Sequence, residues 1–351
     1  MKVAYFQFFP PTVWTPGGGE VQLANTRQEL LRRGVTVDLF DIWHPSSDYD
    51  ILHVFGSTYQ LSDFVVTAKR LRQKVVVSPI IYTDKPRWQW IAGKWFDSLS
   101  PLPTIYRYRR RIYESANLLL PGSKIEACQL HQNFGVPWSK MKVVPVGVED
   151  RFLTADSELF QRQYGVTDFV LMVGRISTRK GQRRLMQALA GTNLRLVFIG
   201  QADPDDPGYF EDFLEDCKRY PNAQYLGPLS HDSPMLASAY ATCRVHALPS
   251  LGECPGIVNM EAALAGAAVV AGNSPPVVEA LGSGAYYCDP NSIEEIRSAV
   301  TRAFESPRNT TLRDRLAQGF VWSRVGAEIA QVYETLAEST DTSSGRGSQL
   351  R

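Results

Sequence analysis

DFVLMVGRISTRKGQRRLMQALAGTNLRLVFIG (168–200) decides the fold. An apolar run, DFVLMVG (168–174), ends on glycine and leads into a polar loop, RISTRKG (175–181). QRRLMQALA (182–190) then has apolar residues at helical spacing, and LRLVFIG (194–200) is a second apolar run. Strand, loop, helix and strand in that order predict two parallel strands joined by a helical crossover.

The pattern extends both ways. Downstream, AQYLG (223–227), RVHALPS (244–250), AAVVAG (267–272) and AYYC (285–288) read as strands, and 291–305, 311–319 and 324–338 as helices. Upstream, KVAYFQFF (2–9) reads as a first strand, followed by a Gly-rich turn, TPGGGE (15–20), and a helix ending in glycine, EVQLANTRQELLRRG (20–34). VTVDLFDIW (35–43), DILHVFG (50–56), KVVVSPII (74–81) and NLLLPGS (117–123) follow as strands, and KVVPVGVEDRF (142–152) crosses into the second unit. The fold class is therefore α/β, with two Rossmann-like β/α/β domains: 1–150 and 151–321. The polar tail 339–351 is expected to be disordered.

With 351 residues, 44% hydrophobic and 21% charged, the chain has a globular composition. A net charge of +1 singles out no partner class. Five scattered cysteines without a C-x-x-C pair fit a reducing cytosol and no zinc site. The start MKVAYFQFFPPTVW lacks a long apolar centre and a cleavage site, and no run suits a membrane span. A cytoplasmic location is expected.

In parallel α/β sheets, ligands bind beyond the carboxyl ends of the strands. Three candidate loops sit there: 17–19, 175–181 and 249–258. Arg175 and Lys180 flank a strand–loop–helix turn, an arrangement suited to a diphosphate; a solvated basic loop that includes Arg179, Arg183 and Arg184 is the alternative. In PSLGECPGIVNMEAALAG (249–266), Pro255 and Gly256 open a helix, whose first amides at Gly256, Ile257 and Val258 suit a phosphate. Glu253 precedes that helix and Glu261 lies inside it; at helical rise the eight steps from one to the other span at most about 12 Å. One ligand can therefore bridge them, unless Glu253 is a cap and Glu261 a surface acid. The apolar neighbours of Glu261 argue against a freely solvated acid.

Together GGGE (17–20), GRISTRKG (174–181), VFIG (197–200), PSLGECPGIVNMEA (249–262) and FVWSRVG (320–326) resemble the family 4 glycosyltransferases of the GT-B fold, over nearly the whole chain except the tail. The resemblance implies two Rossmann-like domains with a cleft between them, the acceptor on 1–150 and the donor on 151–321, and a terminal helix, about 322–338, packing back. It implies transfer of a sugar with retention, from a UDP- or GDP-linked donor to a glycan or lipid-linked acceptor, with no metal and no cofactor. By the same resemblance Arg175 and Lys180 bind the diphosphate, Glu253 contacts the sugar and Glu261 holds the ribose. Ile257 and Val258 supply backbone donors, with Gly256 beside them; Gly17, Gly18 and Gly19 form the N-terminal loop near donor and acceptor. Two positions depart from the family: SPIIYTD (78–84) lacks the expected histidine, and Val146 stands where an asparagine is common.

His53, late in a strand, is either a buried structural histidine or a site residue. DYD (48–50) and DPD (203–205) match a metal-binding string of another glycosyltransferase fold, but their positions argue against metal. The segment 85–113 carries seven Lys/Arg, one Asp and seven aromatic residues. That suits a peripheral contact with anionic lipid or a polyanionic acceptor, or else a pair of helices with snorkelling arginines. No nucleic-acid motif accompanies it. Two rival functions stand beside glycosyl transfer. One is a non-catalytic nucleotide-sugar or glycan binder; the intact Arg175, Lys180, Glu253 and Glu261 argue against it. The other is an NAD-dependent oxidoreductase, for which GGGEVQ (17–22) breaks the G-x-G-x-x-G fingerprint at Gln22.

Overall fold

The computed structural model describes residues 1–8, 18–83, 87–99, 104–308 and 310–339. Gly17, Lys85, the stretch 100–103 and the tail from 340 lie outside them. The chain divides into two units: Met1–Gly147 together with the chain from Trp322, and Val148–Val321.

The first unit begins β1 (Lys2–Gln7), α1 (Gly18–Arg32), β2 (Thr36–Leu39), β3 (Ile51–Phe55), α2 (Leu61–Arg70) and β4 (Val75–Ser78). It continues with α3 (Arg87–Leu99), α4 (Ile105–Ser115), β5 (Leu118–Leu119) and α5 (Lys124–Phe134). Its five parallel strands run in the order β2-β1-β3-β4-β5, with Tyr5 opposite His53. Burial does not alternate along β3 and β4: all of ILHVF and VVVS is buried, as a sheet covered on both faces requires.

The second unit holds α6 (Glu158–Tyr164), β6 (Val170–Val173), α7 (Gln182–Ala188), β7 (Leu196–Ile199), α8 (Pro207–Arg219) and β8 (Ala223–Tyr225). α9 (Pro234–Thr242), β9 (Val245–Leu248), α10 (Ile257–Leu264), β10 (Ala268–Gly272), α11 (Pro275–Leu281) and β11 (Tyr286–Cys288) follow. α12 (Ile293–Glu305) and α13 (Thr311–Gly319) close it. Six parallel strands are ordered β11-β10-β9-β6-β7-β8. Strand alternation splits its core: Leu171 and Val173 pack with Phe160, Phe169 and Tyr240, and Val170 and Met172 with Phe198 and Ile296.

The last helix, α14 (Trp322–Glu338), belongs to the first unit. Trp322, Val325, Ile329 and Tyr333 bury one stripe of it against Val3, Tyr5 and Leu30. Gly326 permits its close approach to α1, because a Cβ there would lie 2.3 Å from Glu29 Cγ.

Two expected strands are shorter than their apolar runs. The run 35–43 pairs only over Thr36–Leu39, because Asp41 then draws the Trp43 amide into a turn. At 117–123 only Leu118–Leu119 pair before Ser123 caps α5. α8 and α9 have no counterpart among the sequence expectations; each opens with proline at its start, a signal the apolar pattern alone obscures.

Candidate functional site

In the second unit, strand order reverses between β6 and β9: the chain runs outward through β7 and β8 on one side, and through β10 and β11 on the other. The loops after β6 and β9 therefore emerge side by side at the topological switch point. They are 174–181 and 249–256, two of the three expected loops.

Their meeting is close and specific. Gly181 caps α7 with φ +84°, and a Cβ there would lie 2.9 Å from the Pro249 carbonyl oxygen. Only glycine satisfies both demands at low cost. The Leu251 amide donates to the Arg179 carbonyl at 2.9 Å, and the Ser250 hydroxyl oxygen lies 3.2 Å from the same carbonyl oxygen. Gly256, also left-handed at φ +83°, caps α10. The first amides of α10, at Ile257 and Val258, precede any intrahelical acceptor.

Glu253 is the hub. Lys180 Nζ lies 2.5 Å from Glu253 Oε1, the Ser250 hydroxyl donates to that oxygen at 2.8 Å, and Arg179 approaches it at 3.3 Å. Arg179 also donates to the Gly252 carbonyl. Burial pushes the Glu253 carboxyl up, but Lys180, Arg179 and the Ser250 hydroxyl outweigh it and hold the group below its ordinary value. Arg179, background charge in the sequence reading, is thus part of the cluster; its place next to Lys180 is the available signal. Arg175 is half-buried, and its carbonyl accepts from Gln182 at 2.7 Å. Arg183 is drawn away to Asp212 and Asp216 on α8.

Glu261 is buried inside α10, and it is paired rather than solvated. The Tyr240 hydroxyl donates to Oε2 at 3.0 Å, and His231 Nε2 lies 2.8 Å from Oε1. His231, from the loop after β8, stands in no motif of the sequence. Its other nitrogen lies 3.4 Å from Glu149, and Glu149 is paired with Arg151. Glu149, His231 and Asp232 are close enough to share an ion, but Arg151 already neutralises Glu149 at 2.5 Å.

The remaining candidates fall elsewhere. His53 is wholly buried in the first unit, with Nδ1 at 2.5 Å from the Tyr333 hydroxyl and Nε2 at 2.9 Å from Ser78. Burial lowers it to about 3 and holds the ring neutral in the core. Gly18 and Gly19 form the start of α1, where a Cβ on Gly19 would touch Gln7 and Ile80. Asp48 and Asp50 hold the side chain and backbone of Lys2. Asp206, beside the DPD string, accepts the Thr178 amide at 2.8 Å and so braces the 175–181 loop. The arginines of 85–113 are largely spent: Arg107 on Asp97, Arg110 on Glu114 and Arg111 on Asp63. Most large apolar side chains of α3 are exposed. Trp88, Ile91, Trp95, Phe96 and Leu99 are exposed, opposite Trp90 and Asp97, which face α5 and α4. No helix among the described residues is long and apolar enough to cross a membrane.

Residues 159–319, nearly all of the second unit, match the family described as glycosyl transferases group 1. Over that region the chain is similar to glycosyltransferases of this family. Among curated members, it is 25% identical to the D-inositol 3-phosphate glycosyltransferase of Pseudarthrobacter chlorophenolicus over 65% of the chain. That match spans 58% of the relative's own length. The MMP alpha-(1->4)-mannosyltransferase of Mycolicibacterium hassiacum is 24% identical over 92% of the chain and 77% of the relative. The chain shares the two-domain GT-B fold with solved structures. The sucrose-phosphate synthase of Thermosynechococcus elongatus aligns with a TM-score of 0.76 and 17% identity, over 97% of this chain and all of that one. Anabaena HepE, solved with UDP and glucose, aligns with a TM-score of 0.71 and 18% identity, over 95% and 100%.

Proposed function

We propose that this glycosyltransferase moves a sugar from a UDP- or GDP-linked donor to a hydroxyl of a glycan or lipid-linked acceptor, with retention at the anomeric carbon and without a metal. The observation that carries the reading is the Lys180–Glu253 pair at the β6/β9 switch point, inside the matched family region. The UDP and glucose held by the Anabaena neighbour support a UDP-linked donor.

Departure of the diphosphate builds negative charge on its oxygens. Arg175 and Lys180, with the amides of Ile257 and Val258, are the groups that neutralise it. Glu253, ionised at neutral pH, faces the sugar, and Glu261 takes the ribose. Breaking the anomeric C–O bond leaves its electron pair on the diphosphate; the acceptor oxygen forms the new bond and gives its proton to the departing diphosphate.

A thermal-shift panel of UDP-, GDP-, ADP- and TDP-sugars tests this. A specific donor at 100 times its Kd stabilises the fold by about 2.7 kcal/mol. No response to any of the four overturns the donor site.

The exposed face of α3 favours a peripheral lipid contact, which places a cytoplasmic enzyme at the surface carrying its acceptor. Two tryptophans, a phenylalanine and two aliphatic residues on one helical face are the composition of an interfacial helix.

A further inference from the structure

Glu261 is buried, and a buried carboxylate is useful to a ligand only if something fixes its direction and charge. Tyr240 holds one oxygen from the core side. The other is held by His231, 38% of whose side chain is exposed. Against a carboxylate, the Nε2 nitrogen of His231 must be a donor. Nδ1 faces a second carboxylate, Glu149, at 3.4 Å, and Asp232 lies 3.8 Å away. Arg151 closes the circuit: it pairs with Glu149 and donates to the His231 carbonyl, which fixes the loop after β8.

We propose that His231 is a positioning residue: it spans Glu149 and Glu261 and aims the Glu261 carboxylate at the ribose of the donor nucleotide. The inference rests on the proposed ribose role of Glu261. Each carboxylate oxygen offers two lone pairs, so Glu261 Oε1 can accept from His231 and from a ribose hydroxyl together.

Both ring nitrogens facing acids require the imidazolium. Its bond to Glu261 raises the His231 value, burial opposes this, Glu149 adds to the rise and Arg151 reduces it. The groups around the ring are Glu149, Asp232, Glu261, Tyr240 and Arg151. The protonated bridge is complete below the ordinary histidine value of 6.5 and is lost as pH rises through the raised folded value. Ribose recognition weakens over the same interval.

The experiment is calorimetric titration of the full chain with UDP and GDP and with their 2′-deoxy counterparts, from pH 6 to 9. The wild-type protein is expected to prefer the ribonucleotide roughly tenfold, the worth of one charged hydrogen bond. H231A should lose most of that preference at all pH values. H231Q keeps a donor but cannot titrate, so it should keep most of the preference and lose its pH dependence. E149Q should shift the loss of preference to lower pH. Wild-type preference retained unchanged in H231A and H231Q overturns the role of His231 alone. A wild-type protein that binds UDP or GDP but ignores the 2′-hydroxyl removes the ribose role of Glu261, and the positioning role with it.

Discussion

Lys180 and Glu253 join the loop after β6 to the loop after β9 through a contact of 2.5 Å, with 12–13% of either side chain exposed. Seventy-three residues separate them in sequence, and the reversal of strand order makes them neighbours. The proposed donor chemistry is built on this pair.

Replacing Glu253 with Gln keeps the shape and removes the charge. Transfer activity, measured as kcat/KM with the donor found by the nucleotide panel, should fall about 100-fold, the scale of losing one preorganised polar group. Acid stability provides a second reading. The folded value of Glu253 lies below its ordinary 4.5, so its stabilisation is present above that pH and is lost as pH falls through the lowered value. E253Q should therefore lose less stability than wild type on acidification, by denaturant titration. Unchanged activity and an unchanged acid profile would remove Glu253 from the site.

Tyr333 bridges His53 and Tyr5, with its hydroxyl 2.5 Å from the histidine and 3.0 Å from the Tyr5 hydroxyl. Y333F leaves both without this partner and should cost about 1–3 kcal/mol, seen as a lower Tm with transfer intact at low temperature. His53 is held neutral, with its value lowered from 6.5 to about 3. Its unfolded form takes up a proton as pH falls below 6.5, so it contributes a loss of stability there that H53Q should not show.

Gly181 meets two constraints at once, a φ of +84° and the Pro249 carbonyl. G181A should destabilise by about 1–3 kcal/mol and weaken nucleotide binding, because relief of the clash parts the two loops. Calorimetry against UDP or GDP checks the second effect.

The α3 face predicts lipid binding without a spanning helix. The wild-type chain should sediment with phosphatidylglycerol vesicles, and W88S/W95S should bind roughly tenfold or more weakly, given the apolar area removed. Its nucleotide-induced thermal shift should be unchanged. Equal sedimentation of both proteins would assign the face to another partner.

Much of this protein is legible in its sequence because the signals are local. Buried parallel strands need continuous apolar runs, so VLMV (170–173), LVFI (196–199) and VHAL (245–248) declare themselves. Glycines before α7 and α10 and the cations and acids beside them are also local, and they mark Arg175, Lys180, Glu253 and Glu261. Pairings over long separations have no such signal. Only the tertiary structure turned Arg179 toward Glu253, spent the arginines of α4 on Asp97, Glu114 and Asp63, and enclosed His53 with Tyr333. It alone brought His231 to Glu261, because a loop after one strand and a helix after the next share no sequence period, and burial selects which acid needs a partner.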